Sequence, residues 1–255
     1  MWRHIAQSLQ GPSHLKDETP CQDSHRVQVL GEGSSATLIA CIADGAGSAK
    51  RSDEGSAIAC NTVIEKAVLY FDSNAGFSGL DREEMVRWCE EIRARIRKVA
   101  GEADRPARDF ATTICVAIIG PEMSYFLQLG DGAIILGRDS LYGIVFWPQM
   151  GEYANSTNFL TSEEYQNQLE FVAVKSCCSK IALMTDGLER LALKFESQLP
   201  HVPFFDPLFR ALEKTDDVDG LNAGLRSFLA SDSIHNRTDD DKTLVLAIRC
   251  PDSAA

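Results

Sequence analysis

The sequence predicts an α+β fold in which largely antiparallel sheets are covered by helices. Short apolar runs rich in Val, Ile and Leu follow one another without intervening helices, which is typical of antiparallel strands and not of a parallel doubly wound sheet. The runs that we assign as strands are 36–43, 112–119, 124–129, 133–136, 171–174, 180–185 and 243–248. Two adjacent segments between the first and second runs carry helical periodicity instead.

Both of these segments place their apolar residues on one helical face. In residues 57–71 and again in residues 85–99, apolar side chains recur at intervals of three and four. Asp81, followed three residues later by Glu84, resembles a capping box at the start of the second helix. The basic residues of this helix are expected to face solvent; they are Arg93, Arg95, Arg97 and Lys98.

The length fits one large domain or two small ones, and we treat residues 1–255 as a single domain because the sequence shows no internal repeat and no low-complexity linker. Hydrophobic residues make up 44% of the 255 positions, which is enough for a full core. The formal net charge of −12 argues against a nucleic-acid or anionic-membrane surface, because both reward clustered Lys and Arg. We expect a monomer with a flap at about 147–169, where polar residues show no clear periodicity.

The cysteines and the N-terminal segment indicate a reduced, cytoplasmic protein. The first residues lack the long apolar region of a secretory signal, and no run approaches 18 apolar residues. The chain has 8 Cys, mostly within apolar runs, and none has the spacing of a C-x-x-C pair or a zinc site. The neighbours Cys177 and Cys178 are the one candidate for a redox pair.

Three apolar runs end in an Asp-Gly pair, and this recurrence is the strongest functional signal in the sequence. The pairs begin at Asp44, Asp131 and Asp186. A tight hairpin is the ordinary explanation of Asp-Gly, and it requires a second strand directly after the pair. A strand follows Asp131, whereas Asp44 and Asp186 precede helical segments. A shared functional site at the strand ends therefore explains these two pairs better than a hairpin does.

Two further acidic segments lie at strand ends. The triplet 239–241 precedes the last strand, and Gln22-Asp23 precedes another predicted strand near the N-terminus. If these carboxylates converge, two of them about 4 Å apart repel by about 4 kcal/mol at an effective dielectric constant of about 20, so cations or protons must neutralise them. An all-oxygen ligand set selects Mg²⁺, Mn²⁺ or Ca²⁺ over Zn²⁺. Two such ions about 4 Å apart form a site for phosphoryl hydrolysis.

Five short motifs follow one another along the chain. They are Gln22-Asp23, Asp44-Gly45-Ala46-Gly47, Leu129-Gly130-Asp131-Gly132, Thr185-Asp186-Gly187 and Asp240-Asp241-Lys242-Thr243. In this order they resemble the motifs of the metal-dependent PP2C (PPM) protein phosphatases, and the resemblance runs from about residue 8 to residue 249. Residues 150–155 and 200–205 resemble a compact bacterial subgroup, which is associated with partner kinases and von Willebrand A-type proteins of TerY-P gene clusters.

The resemblance implies a fold and an activity. The fold is a four-layer α-β-β-α sandwich of two mainly antiparallel sheets flanked by helices, with metal ions bound at one end of the sheets. The activity is hydrolysis of phosphoserine and phosphothreonine in proteins, by attack of a water that bridges the metal ions. The implied cofactors are two Mn²⁺ or Mg²⁺ ions per chain, with a third, looser ion in bacterial relatives.

The resemblance also implies a role for each acidic motif. Asp44, Asp186 and Asp240 are the implied catalytic metal ligands. Asp44 would bridge both ions, and the carbonyl of Gly45 would bind one of them. The remaining implied ligands contact an ion through water or bind the third ion; they are Asp23 and Gln22, through water, and Asp131, at the third ion.

The sequence departs from the family pattern at two places. Ala46 stands where some relatives have a His as candidate general acid, which leaves a metal-bound water as the acid. The Arg that grips phosphate upstream of the Gln22-Asp23 pair is absent, and His14 or Lys16 is the candidate substitute. These losses give room to an alternative, a pseudophosphatase that binds phosphorylated or partner segments without hydrolysis.

A small-molecule phosphate ester hydrolase is the other alternative, and it would prefer small esters or nucleotides over phosphopeptides. For the leading interpretation we expect a phosphorylated protein as substrate and a cognate Ser/Thr kinase as partner. We expect neither nucleic acid nor a membrane among the partners.

Overall fold

The computed structural model describes residues 1–149, 157–176 and 178–250. Its strands are β1 (Trp2–Leu9), β2 (Ser24–Leu30), β3 (Thr37–Ala43), β4 (Ile114–Ile119), β5 (Met123–Leu129), β6 (Ala133–Arg138), β7 (Leu141–Ile144), β8 (Glu170–Lys175), β9 (Lys180–Met184), β10 (Leu193–Lys194), β11 (Leu199–Pro200) and β12 (Lys242–Arg249). Its α-helices are α1 (Pro12–Lys16), α2 (Ser52–Asn74), α3 (Arg82–Glu102), α4 (Tyr165–Gln168), α5 (Glu189–Ala192), α6 (Val202–Lys214), α7 (Val218–Leu229) and α8 (Asp232–His235).

Two five-stranded sheets form the centre of the molecule. The first sheet has the order β1-β12-β9-β6-β7, and the second has the order β2-β3-β4-β5-β8. Every pairing within them is antiparallel over the described residues. The short strands β10 and β11 form a separate ribbon. The prediction of mainly antiparallel sheets is confirmed.

The buried side chains form three apolar clusters that define the layers. Alternate residues of a strand point to opposite faces, and in β3 Leu38 and Ile42 face the other sheet while Ile39 and Cys41 face helices α2 and α3. A further cluster lies between the first sheet and helices α6 and α7. The order is therefore helices, sheet, sheet, helices, and the predicted α-β-β-α sandwich is confirmed.

The strand ends that carry the acidic motifs meet at one end of the two sheets. The start of β2 pairs with the end of β3, through Ser24 and Ala43. In the first sheet, the end of β9 pairs with the starts of both β6 and β12, through Met184 with Ala133 and with Leu244. The acidic segments that flank these strands are thereby gathered at the same end of the sandwich.

Three elements of the sheets differ from the sequence expectation. Strands β1 and β7 were not predicted; both are edge strands of the first sheet, and only Trp2 and Ile5 of β1 and no residue of β7 are buried. The strand after Asp131 is present but does not form a hairpin, since β5 belongs to the second sheet and β6 to the first. Gly130, at φ +103°, provides the backbone conformation for this crossing between sheets.

The prediction that Arg93 faces solvent is wrong. Arg93 is only 8% exposed, and its guanidinium donates to the carbonyls of Leu160 and Ser162 and stacks on the ring of Tyr165. The predicted cap of the same helix is confirmed, because the Asp81 side chain accepts a hydrogen bond from the Glu84 N–H.

The second half of the 147–169 segment is anchored on α3 by these contacts. Leu160 and Tyr165 are buried in the core, and the segment contains the short helix α4. Residues 150–156, which include the 150–155 motif, lie outside the described residues, so the predicted flap stays a prediction.

Six of the described cysteines are free thiols; they are Cys21, Cys41, Cys60, Cys89, Cys115 and Cys250. Cys177 lies outside the described residues, so the proposed Cys177-Cys178 redox pair stays a prediction. Within the described ranges, every helix is too short or too polar to cross a membrane.

Candidate metal and catalytic site

Asp44 leaves the end of β3 with its backbone fixed by the neighbouring strand. Its N–H donates to Thr113 Oγ1 at 3.0 Å, and its carbonyl accepts from the Thr113 N–H at 2.8 Å and from Thr112 Oγ1 at 3.0 Å. These bonds satisfy the main chain where the sheet pairing ends. The carboxylate is thus held in place by a rigid segment rather than by a loop.

Gly45 brings two of the motifs into contact. Its N–H donates to the Gln22 carbonyl at 3.1 Å, and a Cβ at this position would lie 2.7 Å from that carbonyl oxygen and 2.7 Å from the Ser52 carbonyl oxygen. A side chain here would push Gln22 and the start of α2 away from Asp44. The glycine of this motif is therefore required by the close approach of the backbone.

Three carboxylates converge at this end of the sheets. One oxygen from each of Asp44, Asp131 and Asp186 lies within 4.8 Å of the others. Asp186 follows β9, and Gly187 beside it packs so closely against the Asp241 carbonyl that a Cβ would collide with that oxygen. The structure therefore brings together the three Asp-Gly pairs that the sequence singled out.

Asp23 is buried beside this cluster and is held by two threonines. Its Oδ2 accepts hydrogen bonds from Thr185 Oγ1 and Thr243 Oγ1, each at 2.8 Å, whereas its Oδ1 has no partner. Both threonines belong to motifs that the sequence analysis quoted without assigning them a role. The role of their hydroxyl groups was not predicted, because a Thr near a strand end does not by itself indicate a contact with a metal site.

Two residues of the acidic triplet 239–241 lie in different environments. Asp241 is 3% exposed, and its carboxylate accepts from the N–H groups of Gly11 and Gln22, each at 2.6 Å. Asp240 is exposed, and its Oδ1 accepts from the Asp241 N–H at 2.8 Å. Asp240 does not belong to the 4.8 Å cluster, although it lies near enough for its charge to raise the pKa of Asp186.

The two candidate phosphate contacts occupy different places. His14 Nδ1 lies 2.8 Å from Asp241 Oδ1, at the edge of the site. Lys16 is exposed at the end of α1 and makes no hydrogen bond or ion pair with the described residues. Sequence reasoning missed Arg190 and Arg237, which line a cleft of about 190 Å³ together with Asp186 and Asp240. Neither Arg carried a motif signal, since only the fold brings them to the site.

The carboxylates perturb one another strongly. Burial, and then the charges of Asp23, Asp186 and Asp131, raise the pKa of Asp44 well above its usual range. Burial, and then the charges of Asp131 and Asp240, raise the pKa of Asp186 to about 7. Burial also raises the pKa of Asp23, although the two threonine hydroxyls oppose the shift. A divalent cation bound among these carboxylates would neutralise this mutual repulsion.

The site fits a hard divalent cation. Buried oxygens without any hydrogen-bond partner occur on Gln22 (Oε1), Asp23 (Oδ1), Asp131 (Oδ1) and Asp186 (Oδ1). Within the described chain no Lys or Arg forms an ion pair with any of these carboxylates or with Asp44. Unpartnered buried oxygens are rare, and an oxygen-only set is what Mg²⁺ and Mn²⁺ prefer.

Comparisons with known proteins identify the family of the chain. Residues 10–230 match the family model of Protein phosphatase 2C. The chain is 35% identical over 250 residues to Serine/threonine-protein phosphatase 3 of Escherichia coli (strain K12), covering 97% of this chain and 98% of that protein.

Solved structures with the same fold include two phosphatases. A bacterial serine phosphatase has a TM-score of 0.66 at 13% identity, with 100% of both chains covered. Serine/threonine phosphatase Stp1 from Staphylococcus aureus has a TM-score of 0.62 at 12% identity, covering 98% of this chain and 96% of that one. The family match spans residues 10–230, which include four of the five motifs quoted above, and the Escherichia coli relative covers 97% of the chain. The chain therefore belongs to the protein phosphatase 2C family.

Proposed function

We propose that this chain is a serine/threonine protein phosphatase that hydrolyses phosphoserine and phosphothreonine with the help of Mn²⁺ or Mg²⁺. The observation that carries the proposal is the convergence of Asp44, Asp131 and Asp186, without a basic partner among the described residues and beside buried oxygens that lack hydrogen bonds. A purely structural acidic cluster would be paired or solvated, because unpaired carboxylates oppose folding.

Two ions per chain are proposed, with a third at Asp131. Asp44 would lie between the two ions, the carbonyl of Gly45 would bind one, and Asp186 with Asp240 would complete the other. Gln22 and Asp23 would act through water. When bound, such cations lower the pKa of a coordinated water and neutralise the charge that develops on the phosphoryl group.

Side chains of the protein would orient the metal ligands and the substrate. Thr185 and Thr243 hold Asp23 Oδ2, so that the unpartnered Oδ1 has a fixed direction. Ala46 is 9% exposed and offers no proton to a leaving oxygen. Arg190 and Arg237 lie at the cleft that also exposes Asp186, and we propose that they contact the phosphorylated segment of the substrate. His14, beside Asp241, is the other candidate for this contact.

A pseudophosphatase remains the competing function, because Ala46 replaces a proton donor and the usual phosphate-gripping Arg is missing upstream of Gln22. The sequence retains all four acidic elements of the family, which favours hydrolysis. We further propose that residues 1–255 form one domain that acts as a monomer in the cytoplasm. Its proposed partners are a phosphorylated protein and a cognate kinase, as in the TerY-P-type subgroup.

Phosphate release from a phosphothreonine peptide tests the proposal. We expect turnover with Mn²⁺ or Mg²⁺, none with a chelator, and none from Asp186→Ala. Asp72→Ala is the matched control, because Asp72 is an exposed acidic residue near the end of α2. Folded wild type without turnover at any metal concentration supports the pseudophosphatase, and faster release from small phosphate esters than from the peptide supports a small-molecule hydrolase.

A further inference from the structure

A chain of hydrogen bonds leads from the buried Asp23 to the open side of the sandwich. Thr243 Oγ1 donates to Asp23 Oδ2 at 2.8 Å. Ser8 Oγ lies 2.6 Å from Thr243 Oγ1, and His25 Nδ1 lies 2.8 Å from Ser8 Oγ. We call these three side chains, Ser8, His25 and Thr243, the relay.

The hydrogen bond from Thr243 to Asp23 fixes the donor and acceptor of every other bond in the relay. Thr243 has one hydroxyl hydrogen and gives it to Asp23, so its oxygen must accept from Ser8. Ser8 then gives its only hydrogen to Thr243 and must accept from His25. His25 therefore carries its proton on Nδ1. All donors point inward toward one carboxylate oxygen, and aligned bonds of this kind strengthen one another.

The relay joins the two sheets beside the site. Ser8 lies on β1 and Thr243 on β12, both in the first sheet, whereas His25 lies on β2 in the second sheet. Asp23 directly precedes β2, so the relay fixes the start of that strand against the first sheet. At its outer end, His25 lines a cleft of about 630 Å³ between β1, β2 and α7.

We propose that Ser8 and His25 are positioning residues for Asp23. Through Thr243 they hold Oδ2 in one orientation, and this keeps the unpartnered Oδ1 directed toward the cation. The inference rests on the proposed function, because it assigns the two residues to the metal site of the phosphatase. Partners of metal-binding carboxylates are known to set ligand orientation and affinity.

Manganese binding to purified variants tests this role, with free Mn²⁺ measured by electron paramagnetic resonance and turnover measured in parallel. Ser8→Ala and His25→Leu each break the relay, and each is expected to weaken Mn²⁺ affinity by about tenfold, with a fall in kcat. Because His25 lines an open cleft, its replacement leaves no cavity in the core. His25→Asn should keep most of the affinity, because its side-chain amide nitrogen can donate from near the position of Nδ1.

Two comparisons separate positioning from a general loss of stability. The double variant Ser8→Ala/His25→Leu should bind Mn²⁺ no more weakly than the worse single variant, because the relay acts as one unit. Ser124→Ala is the matched control: it also removes a hydroxyl–hydroxyl bond, of 2.7 Å to Ser176, but on β5 and away from the site. It should lower the melting temperature and leave Mn²⁺ affinity unchanged.

The outcomes distinguish the relay from the proposed function. If wild type binds Mn²⁺ and the folded Ser8→Ala and His25→Leu variants bind it equally well, the relay is refuted alone. Additive losses in the double variant, or an equal loss in Ser124→Ala, also refute it. If wild type neither binds Mn²⁺ nor releases phosphate, the proposed function fails and the relay fails with it.

Discussion

Replacing Asp186 by Asn is expected to stabilise the metal-free protein while abolishing its activity. Burial, together with the charges of Asp131 and Asp240, raises the pKa of Asp186 from 3.8 to about 7. Asn has nearly the same size and no charge, so it removes the repulsion without leaving a cavity. The same change removes a carboxylate that the proposed cations need.

The size of the stabilisation depends on pH. The folded chain keeps the proton of Asp186 up to about pH 7, whereas the unfolded chain ionises above pH 3.8. A carboxyl whose pKa is raised on folding therefore lowers stability as pH rises through this interval. At about 1.4 kcal/mol per pKa unit, the cost is about 1.5 kcal/mol at pH 5 and about 4 kcal/mol at pH 8. Since 1 kcal/mol moves the Tm of such a domain by about 2–4 °C, the variant should melt at least about 8 °C higher at pH 8.

Thermal unfolding of both proteins, with chelator and with Mn²⁺, is the assay. In chelator the variant should be the more stable protein, with the larger difference at pH 8. With Mn²⁺ at about 100 times its Kd the wild type should gain about 2.7 kcal/mol, and the variant should gain much less. Adding metal is thus expected to shrink the difference between the two melting temperatures at pH 8 and to reverse its sign at pH 5.

Two results would refute this reasoning. A variant that is no more stable than wild type at pH 8 in chelator would show that Asp186 is not under strain from its neighbours. A difference of the same size at pH 5 and pH 8 would show that the stabilisation comes from packing or hydrogen bonding and not from charge. Asp72→Asn, on an exposed part of α2, controls for the change in net charge.

Three further changes have distinct expected effects. Gly187→Ala should lower stability by about 1–3 kcal/mol and reduce turnover, because its Cβ would collide with the Asp241 carbonyl. Gly47→Ala, whose Cβ would meet nothing within 4 Å, should have smaller effects on both stability and turnover, as measured by denaturant unfolding and phosphate release. Arg237→Ala should raise KM for a phosphopeptide several-fold with kcat little changed, and an unchanged KM would remove Arg237 from the substrate site. Arg93→Leu should destabilise by about 2–3 kcal/mol in denaturant unfolding, since the carbonyls it serves in the 157–169 segment lose their donor.

The strand ends of the site were predictable because their signal is local. An apolar run followed by Asp-Gly can be read without knowing what the chain packs against, and the structure ends β3 and β9 where that pattern does. The burial of Arg93 was not predictable in this way, because its acceptors, Leu160 and Ser162, come from a distant part of the chain. Helical periodicity alone assigns an arginine on the polar face of a helix to solvent.

The burial of one residue in the acidic triplet 239–241 was also not predictable from local sequence. The acidic pattern alone identified residues 239–241, and the resemblance implied Asp240 as a ligand, but neither showed which carboxylate is buried. The structure buries Asp241, where it accepts backbone N–H groups of Gly11 and Gln22, and leaves Asp240 exposed. This choice depends on the backbone path into β12, which in turn depends on pairing with β1 and β9. Which carboxylate of this triplet points inward is therefore decided by tertiary structure.

The origin of the central carboxylates links cation binding to the packing of the sheets. Asp44 extends from the second sheet and Asp186 from the first, while Asp131 lies in the crossing between them. The apolar cluster between the sheets holds their middle together, but at this end it gives way to like charges that repel. A cation bound by Asp44 and Asp186 would replace that repulsion by attraction across the interface. The spacing of the sheets and the affinity for such a cation would therefore be coupled, and we expect a change in packing next to the site to alter metal binding without touching a ligand.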